Sequence, residues 1–209
     1  GHEWASSSLV VRWQSVVTQP GEARVEHVNG VSFDERRLWV MHHRMNLTSE
    51  VRVYSRDDAQ RGECARLSLG GTTCHGVLWY GGRLLYLLSA AGGIAALSPG
   101  GKSTTLWSAG DGYFSKGLAV LDGVAYFGLA HRQSRFNRNA ASCEIVALDL
   151  ESTRVLWRRT VPFPGLVNAV SLPSVGSTCS WRACSADAAQ MSRAAEEHGP
   201  QPGQWDVGC

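Results

Sequence analysis

Lysine is nearly missing from this chain: Lys102 and Lys116 are the only two among 20 basic residues. Arginine supplies the rest, a skew that coding bias in a GC-rich genome produces as readily as a need for bidentate anion binding, so it selects no partner. The net charge is only +2 and is spread along the sequence. That leaves no field of the kind that holds a protein on nucleic acid, and nucleic acid is excluded as a partner. No apolar run approaches the ~20 residues that span a bilayer; the longest candidate, 84 to 97, is interrupted by Ser89, Gly92 and Gly93. A membrane span is therefore not expected, and a soluble protein, cytoplasmic rather than secreted, is. Cysteine is sparse, with Cys64, Cys74, Cys143, Cys179, Cys184 and Cys209 far apart for a disulfide-stapled module, so buried free thiols are the default reading. Cys179-x4-Cys184 lacks a second pair or a histidine at zinc-finger spacing. There is also no Gly-x-Ser-x-Gly elbow, phosphate loop or His-Glu-x-x-His helix. Neither a metal nor a cofactor is expected. The opening Gly1-His2-Glu3-Trp4 has no initiator Met and no charged-then-apolar leader, which fits a fragment of something longer.

What the sequence does contain is a repeat. Four segments share one grammar: a small or polar opening, usually with glycine, then an apolar strand, a turn and a second apolar strand. The first runs Asn29-Gly30-Val31-Ser32-Phe33, a turn over 34 to 37, then Leu38-Trp39-Val40-Met41. The second runs His75-Gly76-Val77-Leu78-Trp79-Tyr80, a Gly81-Gly82 turn, then 83 to 88. The third is Lys116-Gly117-Leu118-Ala119-Val120-Leu121, an Asp122-Gly123 turn, then 124 to 128; a fourth opens at Asn168-Ala169-Val170-Ser171-Leu172 and stops. Gly-Gly and Asp-Gly between apolar runs mark two-residue hairpins, because both central positions reach positive φ at little cost. Further strands follow each hairpin: 51 to 54 in the first unit, 94 to 97 with 104 to 107 in the second, 144 to 148 with 154 to 157 in the third. Four strands at intervals of ~40 to 50 residues is the pattern of a propeller blade. The expected fold is all-β, a partial β-propeller of about three four-stranded blades over residues 1–172, with an irregular tail over 173–209. Stretches 9–13 and 24–28 read as strands of a preceding blade. Propellers close with four to eight blades, so self-association or missing blades are implied.

The order of motifs carries a resemblance. Cys74-His75-Gly76, Gly81-Gly82-Arg83-Leu84-Leu85-Tyr86-Leu87-Leu88-Ser89, Phe114-Ser115-Lys116-Gly117-Leu118-Ala119 and Tyr126-Phe127-Gly128-Leu129-Ala130, followed by the strands at 144 to 150 and 155 to 157, resemble an uncharacterised, mainly bacterial propeller-like family, a domain of unknown function. The chain departs from that pattern at Lys116, where the family has Arg, and at Ala90, where it has Gly. The resemblance implies the propeller and no activity. More distantly the layout looks like six-bladed lactonase and NHL-type propellers, on which both hydrolases and binding scaffolds are built.

In a propeller the first residues of each innermost strand sit near one mouth of the central channel. This places Asn29, His75, Lys116 and Asn168 around one axis, where they could orient an anionic or polyhydroxyl ligand, with His75 and Lys116 as the candidate catalytic pair. The loop after the third hairpin adds Arg132, Arg135 and Arg138, a second anion-binding candidate. His42-His43-Arg44 and His131-Arg132 read as surface loop residues. Trp39, Trp79, Trp107 and Trp157 sit in strands and read as packing residues. The functional expectation is a non-catalytic binding or interaction module for a protein or a small polar or anionic ligand; the alternative is a lactonase-like hydrolase with its site at the channel.

Overall fold

The computed structural model describes residues 27–44, 47–58, 62–134, 137 and 141–161. Among them are twelve strands in three four-stranded antiparallel sheets, each in chain order. The first sheet is β1 (His27–Phe33), β2 (Arg37–His43), β3 (Glu50–Ser55) and β4 (Glu63–Ser68). The second is β5 (Cys74–Tyr80), β6 (Arg83–Leu88), β7 (Gly93–Leu97) and β8 (Ser103–Ser108). The third is β9 (Tyr113–Leu121), β10 (Val124–His131), β11 (Cys143–Asp149) and β12 (Val155–Val161). β1 lies against β5, and β5 against β9, so the first strand of each sheet is innermost. This is a partial propeller of three blades. The expected boundary at 172, the tail and Asn168 lie outside the described residues.

Turn chemistry sets the hairpins. Gly81 and Gly82 have φ of +56° and +73°, and Asp122 and Gly123 have +48° and +75°, the two successive positive values that suit a tight β-hairpin. The first hairpin turns instead on Asp34, whose Oδ1 accepts from the backbone N–H groups of Arg36 (2.8 Å) and Arg37 (2.7 Å). Each inner strand carries one extra residue against its partner: Asn29 in β1, Gly76 in β5 and Gly117 in β9. Such bulges bend a strand and re-aim its side chains.

Blade-to-blade contact repeats in register. A Cβ on Gly30 would come within 3.0 Å of Val77, and one on Gly76 within 3.0 Å of Leu118. The same inner-strand glycine thus lets the next inner strand approach at both boundaries. Trp39, Met41, Val51 and Val53 of the first blade pack with Val77, Leu84, Tyr86, Ala95 and Leu97 of the second. Leu85, Leu87, Ile94 and Ala96, on the second blade's other face, pack with Ala125, Phe127, Leu129, Val146 and Leu148 of the third. Buried hydroxyls complete the boundaries: the Trp79 N–H donates to Ser32 Oγ (2.9 Å), the Cys74 N–H to Ser49 Oγ (3.1 Å), and Ser115 Oγ donates to the Gly93 carbonyl (2.9 Å). Val31 and Phe33 point the other way from β1 and are 52% and 64% exposed.

Several expectations change. His27 and Val28 belong to β1, paired with His43 and His42, rather than to a strand of an earlier blade. β4 was not apparent in the sequence. His42 and His43 lie on β2, and His42 is buried; its strand position pairs with Glu50, which is also buried and ion-paired with Arg44 (2.9 Å) and Arg52 (2.8 Å). Trp157 is on the outermost strand and 38% exposed. Cys64 is disulfide-bonded, contrary to the expectation of free thiols, whereas Cys74 is a buried free thiol whose pKa burial raises to about 11.

Candidate functional site

The three polar residues the repeat singled out, Asn29, His75 and Lys116, lie on the inner strands β1, β5 and β9, each directly before a glycine. Asn29 is committed to the scaffold, since its Nδ2 donates to the Cys74 carbonyl of the next blade (3.3 Å). With Ser49 holding the Cys74 N–H, the first blade grips both sides of the residue that precedes His75.

His75 is held from behind. Its Nδ1 lies 2.9 Å from the hydroxyl of Ser89, which opens the 3-10 turn Ser89–Ala91, and 3.3 Å from the Thr73 carbonyl. The Thr73 carbonyl only accepts, so that contact calls for the proton on Nδ1, whereas the Ser89 hydroxyl serves either tautomer. Nε2 has no partner among the described residues and is not sealed from solvent. The ring neighbours His43 (centroids 6.1 Å) and makes an edge-to-face contact with Phe114 (5.4 Å, planes at 68°), and His43 in turn stacks with His27 (6.2 Å). Burial pushes the His75 pKa down to about 4 against the hydrogen bond to Thr73, and the charges of Lys116 and His43 push it the same way. His75 is therefore neutral at physiological pH.

Lys116 is close enough for its charge to act on His75, and among the described residues its ammonium has no hydrogen-bond or ion-pair partner. The site as described is thus a partly buried imidazole within electrostatic reach of an ammonium that has no partner among the described residues, with His43 and Phe114 as ring neighbours. Asn168 is outside the described residues, as are Arg135 and Arg138; Arg132 is exposed beyond β10, with its backbone N–H on the Gly112 carbonyl (2.8 Å). His131 is exposed and stacks on Tyr113 (4.6 Å), over which the guanidinium of Arg158 lies at 5.6 Å. Arg158 is ion-paired with Glu144. No group of three or more His, Cys, Asp or Glu that could hold a metal occurs among the described residues. Nor is any helix among them long and apolar enough to cross a membrane.

Sequence reasoning placed His75 and Lys116 from the glycine repeat but missed Ser89, Thr73, His27, His43 and Phe114. Phe114 was within reach, two residues before Lys116 on the same strand.

No family model matches the chain, and no curated protein does. Among solved structures it is similar to the computationally designed Ika4 protein, at 11% identity over 73% of this chain and 84% of that one, with a TM-score of 0.48. It is also similar to Myxococcus xanthus glutaminyl cyclase (12% identity, 85% of this chain, 60% of that one, TM-score 0.39) and to a chain of a nidogen/laminin complex (13%, 63% and 65%, 0.34). At these TM-scores the likenesses carry neither fold nor chemistry to this chain.

Proposed function

We propose that the chain is a non-catalytic binding module that takes a small polar ligand at the opening of β5 and β9, with His75 and Lys116 as its contact groups. The observation that supports this reading is the setting of His75: partly buried, its Nδ1 held by Ser89 and Thr73, with the charges of Lys116 and His43 near it, all of which leaves its pKa pushed down to about 4. A general base works best with a pKa near the operating pH. A ring titrating three units lower is protonated in only about one molecule in a thousand at neutral pH and accepts a proton poorly, although it still accepts a hydrogen bond. The ordered motifs from Cys74 to Trp157 support kinship with uncharacterised bacterial propeller-like proteins, and that kinship adds no activity.

The test is a thermal-shift screen of the full chain against sugars, sugar acids, lactones and phosphates, with His75→Ala alongside. A ligand that raises the melting temperature of the wild type and not of the variant, without being consumed, is the expected result. Lactone hydrolysis that depends on His75 would replace this reading with the hydrolase one.

A further inference from the structure

We infer that the chain pairs head-to-tail with a second copy of itself, the open face of its first blade seated on the open face of the third blade of the other copy. The inference goes beyond the ligand reading above and does not rest on it. Its basis is the way each inner strand meets the blade before it. In β5 the residue after the glycine, Val77, closes on Gly30 of β1, and in β9 the equivalent Leu118 closes on Gly76 of β5, each reaching within 3.0 Å of where a glycine Cβ would stand. Burial follows, with Val77 6% exposed and Leu118 9%. Val31 holds the same position in β1, directly after Gly30, and is 52% exposed. The residue that is sealed at two boundaries stands open at the head of the array.

The aromatic positions repeat the pattern. Trp79, three residues after its glycine, stacks on Trp39 of the blade before it (5.3 Å). Val120, in the same position of β9, packs on the cluster that holds Leu85, whose place in β6 is that of Trp39 in β2. Phe33 is the equivalent in β1, and it is exposed. At the tail of the array the receiving positions are present: Gly117 (φ +69°) takes the place of Gly30 and Gly76, and Tyr126, paired with Ala119 as Trp39 is with Ser32, takes the place of Trp39 and Leu85. Tyr126 and Trp157 form an aromatic pair there (5.9 Å), and Leu121, on the same side of β9 as Ala119, is exposed. An incoming β1 sets Val31 on Gly117 and Phe33 on Tyr126 in the register that both internal boundaries already use. A blade of this repeat is the partner these positions fit, and a second copy supplies one. The two faces differ, so the contact is heterologous, and two copies close it with two identical seams. Three blades from each copy fall within the four to eight at which propellers close.

The experiment is sedimentation velocity with light scattering on the full chain over a concentration series, with Phe33→Asp, Tyr126→Asp and an equimolar mixture of the two. The wild type is expected at twice the mass of the chain. Each variant alone is expected at the mass of one chain with unchanged far-UV circular dichroism, because a carboxylate buried in the seam has no partner. The mixture should recover dimer at higher concentration, since the third blade of the first variant and the first blade of the second are unaltered and form one seam of the two. Leu121→Asp, at an exposed position of the same face, replaces Tyr126→Asp should the latter not fold. A wild-type monomer at every concentration would overturn the inference, and its destabilisation by Val170→Asp would then name the fourth segment of the chain itself as the occupant of the third blade. A dimer that survives either substitution would overturn it as well; loss with Phe33→Asp alone would mean that first blades pair with each other. None of these outcomes bears on ligand binding at His75, which the thermal-shift screen tests separately.

Discussion

The indole of Trp39 lies nearly parallel to that of Trp79, with centroids 5.3 Å apart and planes at 12°, across the boundary between the first and second blades. Trp39 is fully buried and its Nε1 donates to Asp34, so the same side chain ties the first hairpin turn to the inter-blade stack. Removing it opens a cavity at the seam. Trp39→Ala is expected to cost about 3 to 5 kcal/mol in urea unfolding. A double-mutant cycle with Trp79→Ala should return a coupling of about 0.5 to 1.5 kcal/mol for the stack itself.

Gly76 combines a φ of +55° with the closest approach of β5 to β9, where an added Cβ would meet the Leu118 Cβ at 3.0 Å. Gly81 has nearly the same φ, +56°, in an open turn with nothing within 4 Å. Gly81→Ala should therefore cost only the left-handed backbone strain, about 1 kcal/mol, while Gly76→Ala should cost more because the third blade must also shift. The two midpoints in chemical denaturation separate strain from crowding. Equal losses would mean that the blades do not touch there.

The Glu50 carboxylate is buried and accepts from Arg44 (2.9 Å) and Arg52 (2.8 Å), with Arg66 at 3.7 Å. Glu50→Gln leaves these guanidinium groups facing a neutral amide at a desolvated position. A loss of about 3 kcal/mol is expected, since breaking one side of a buried ion pair strands the other. Glu63→Gln, at the exposed end of the same network, should change stability by less than about 1 kcal/mol.

These three cases show what was legible beforehand. Gly-Gly and Asp-Gly announced two hairpins because few other residue pairs adopt successive positive φ. The glycine within each inner strand announced the blade spacing, and at Gly30 and Gly76 two inner strands meet. β4 was hidden, since Glu63-Cys64-Ala65-Arg66-Leu67-Ser68 only partly buries Ala65 and Leu67 and carries Glu63 and Arg66, which pair with each other and, through Glu63, with Arg52 of β3. His42 read as a surface residue, yet it is buried on β2 opposite Glu50, eight positions away on the next strand, a pairing no local pattern announces. The same holds at the site: His75 and Lys116 followed from local grammar, while Ser89, which orients His75, comes from the far end of the next strand.

Cys74 is buried, its Sγ near the Gly71 carbonyl (3.5 Å), and burial raises its pKa to about 11. Little thiolate exists at pH 8, so Cys74 should resist alkylation until the chain unfolds. Peptide mapping after iodoacetamide treatment, native and in urea, checks this. Cys64 should appear blocked until a reductant is added.

His75 also governs part of the acid response. Its pKa in the folded chain, about 4, lies below the ordinary 6.5. Between those values the unfolded state binds more protons than the folded one, so stability rises with pH across that window and is lost as pH falls through it. The groups facing the ring are Lys116, His43, Phe114, Ser89 and Thr73, and none is a carboxylate that would oppose the trend. His75→Phe should flatten the stability profile between pH 4 and 6.5 relative to the wild type, as read from urea midpoints.

The neutral state of His75 at physiological pH underlies the binding reading. The imidazole nitrogen shifts of His75, followed by NMR on the full chain from pH 3.5 to 7.5, measure it directly. The account predicts a neutral ring at neutral pH, with a titration midpoint near 4. A midpoint near 6.5 would contradict it.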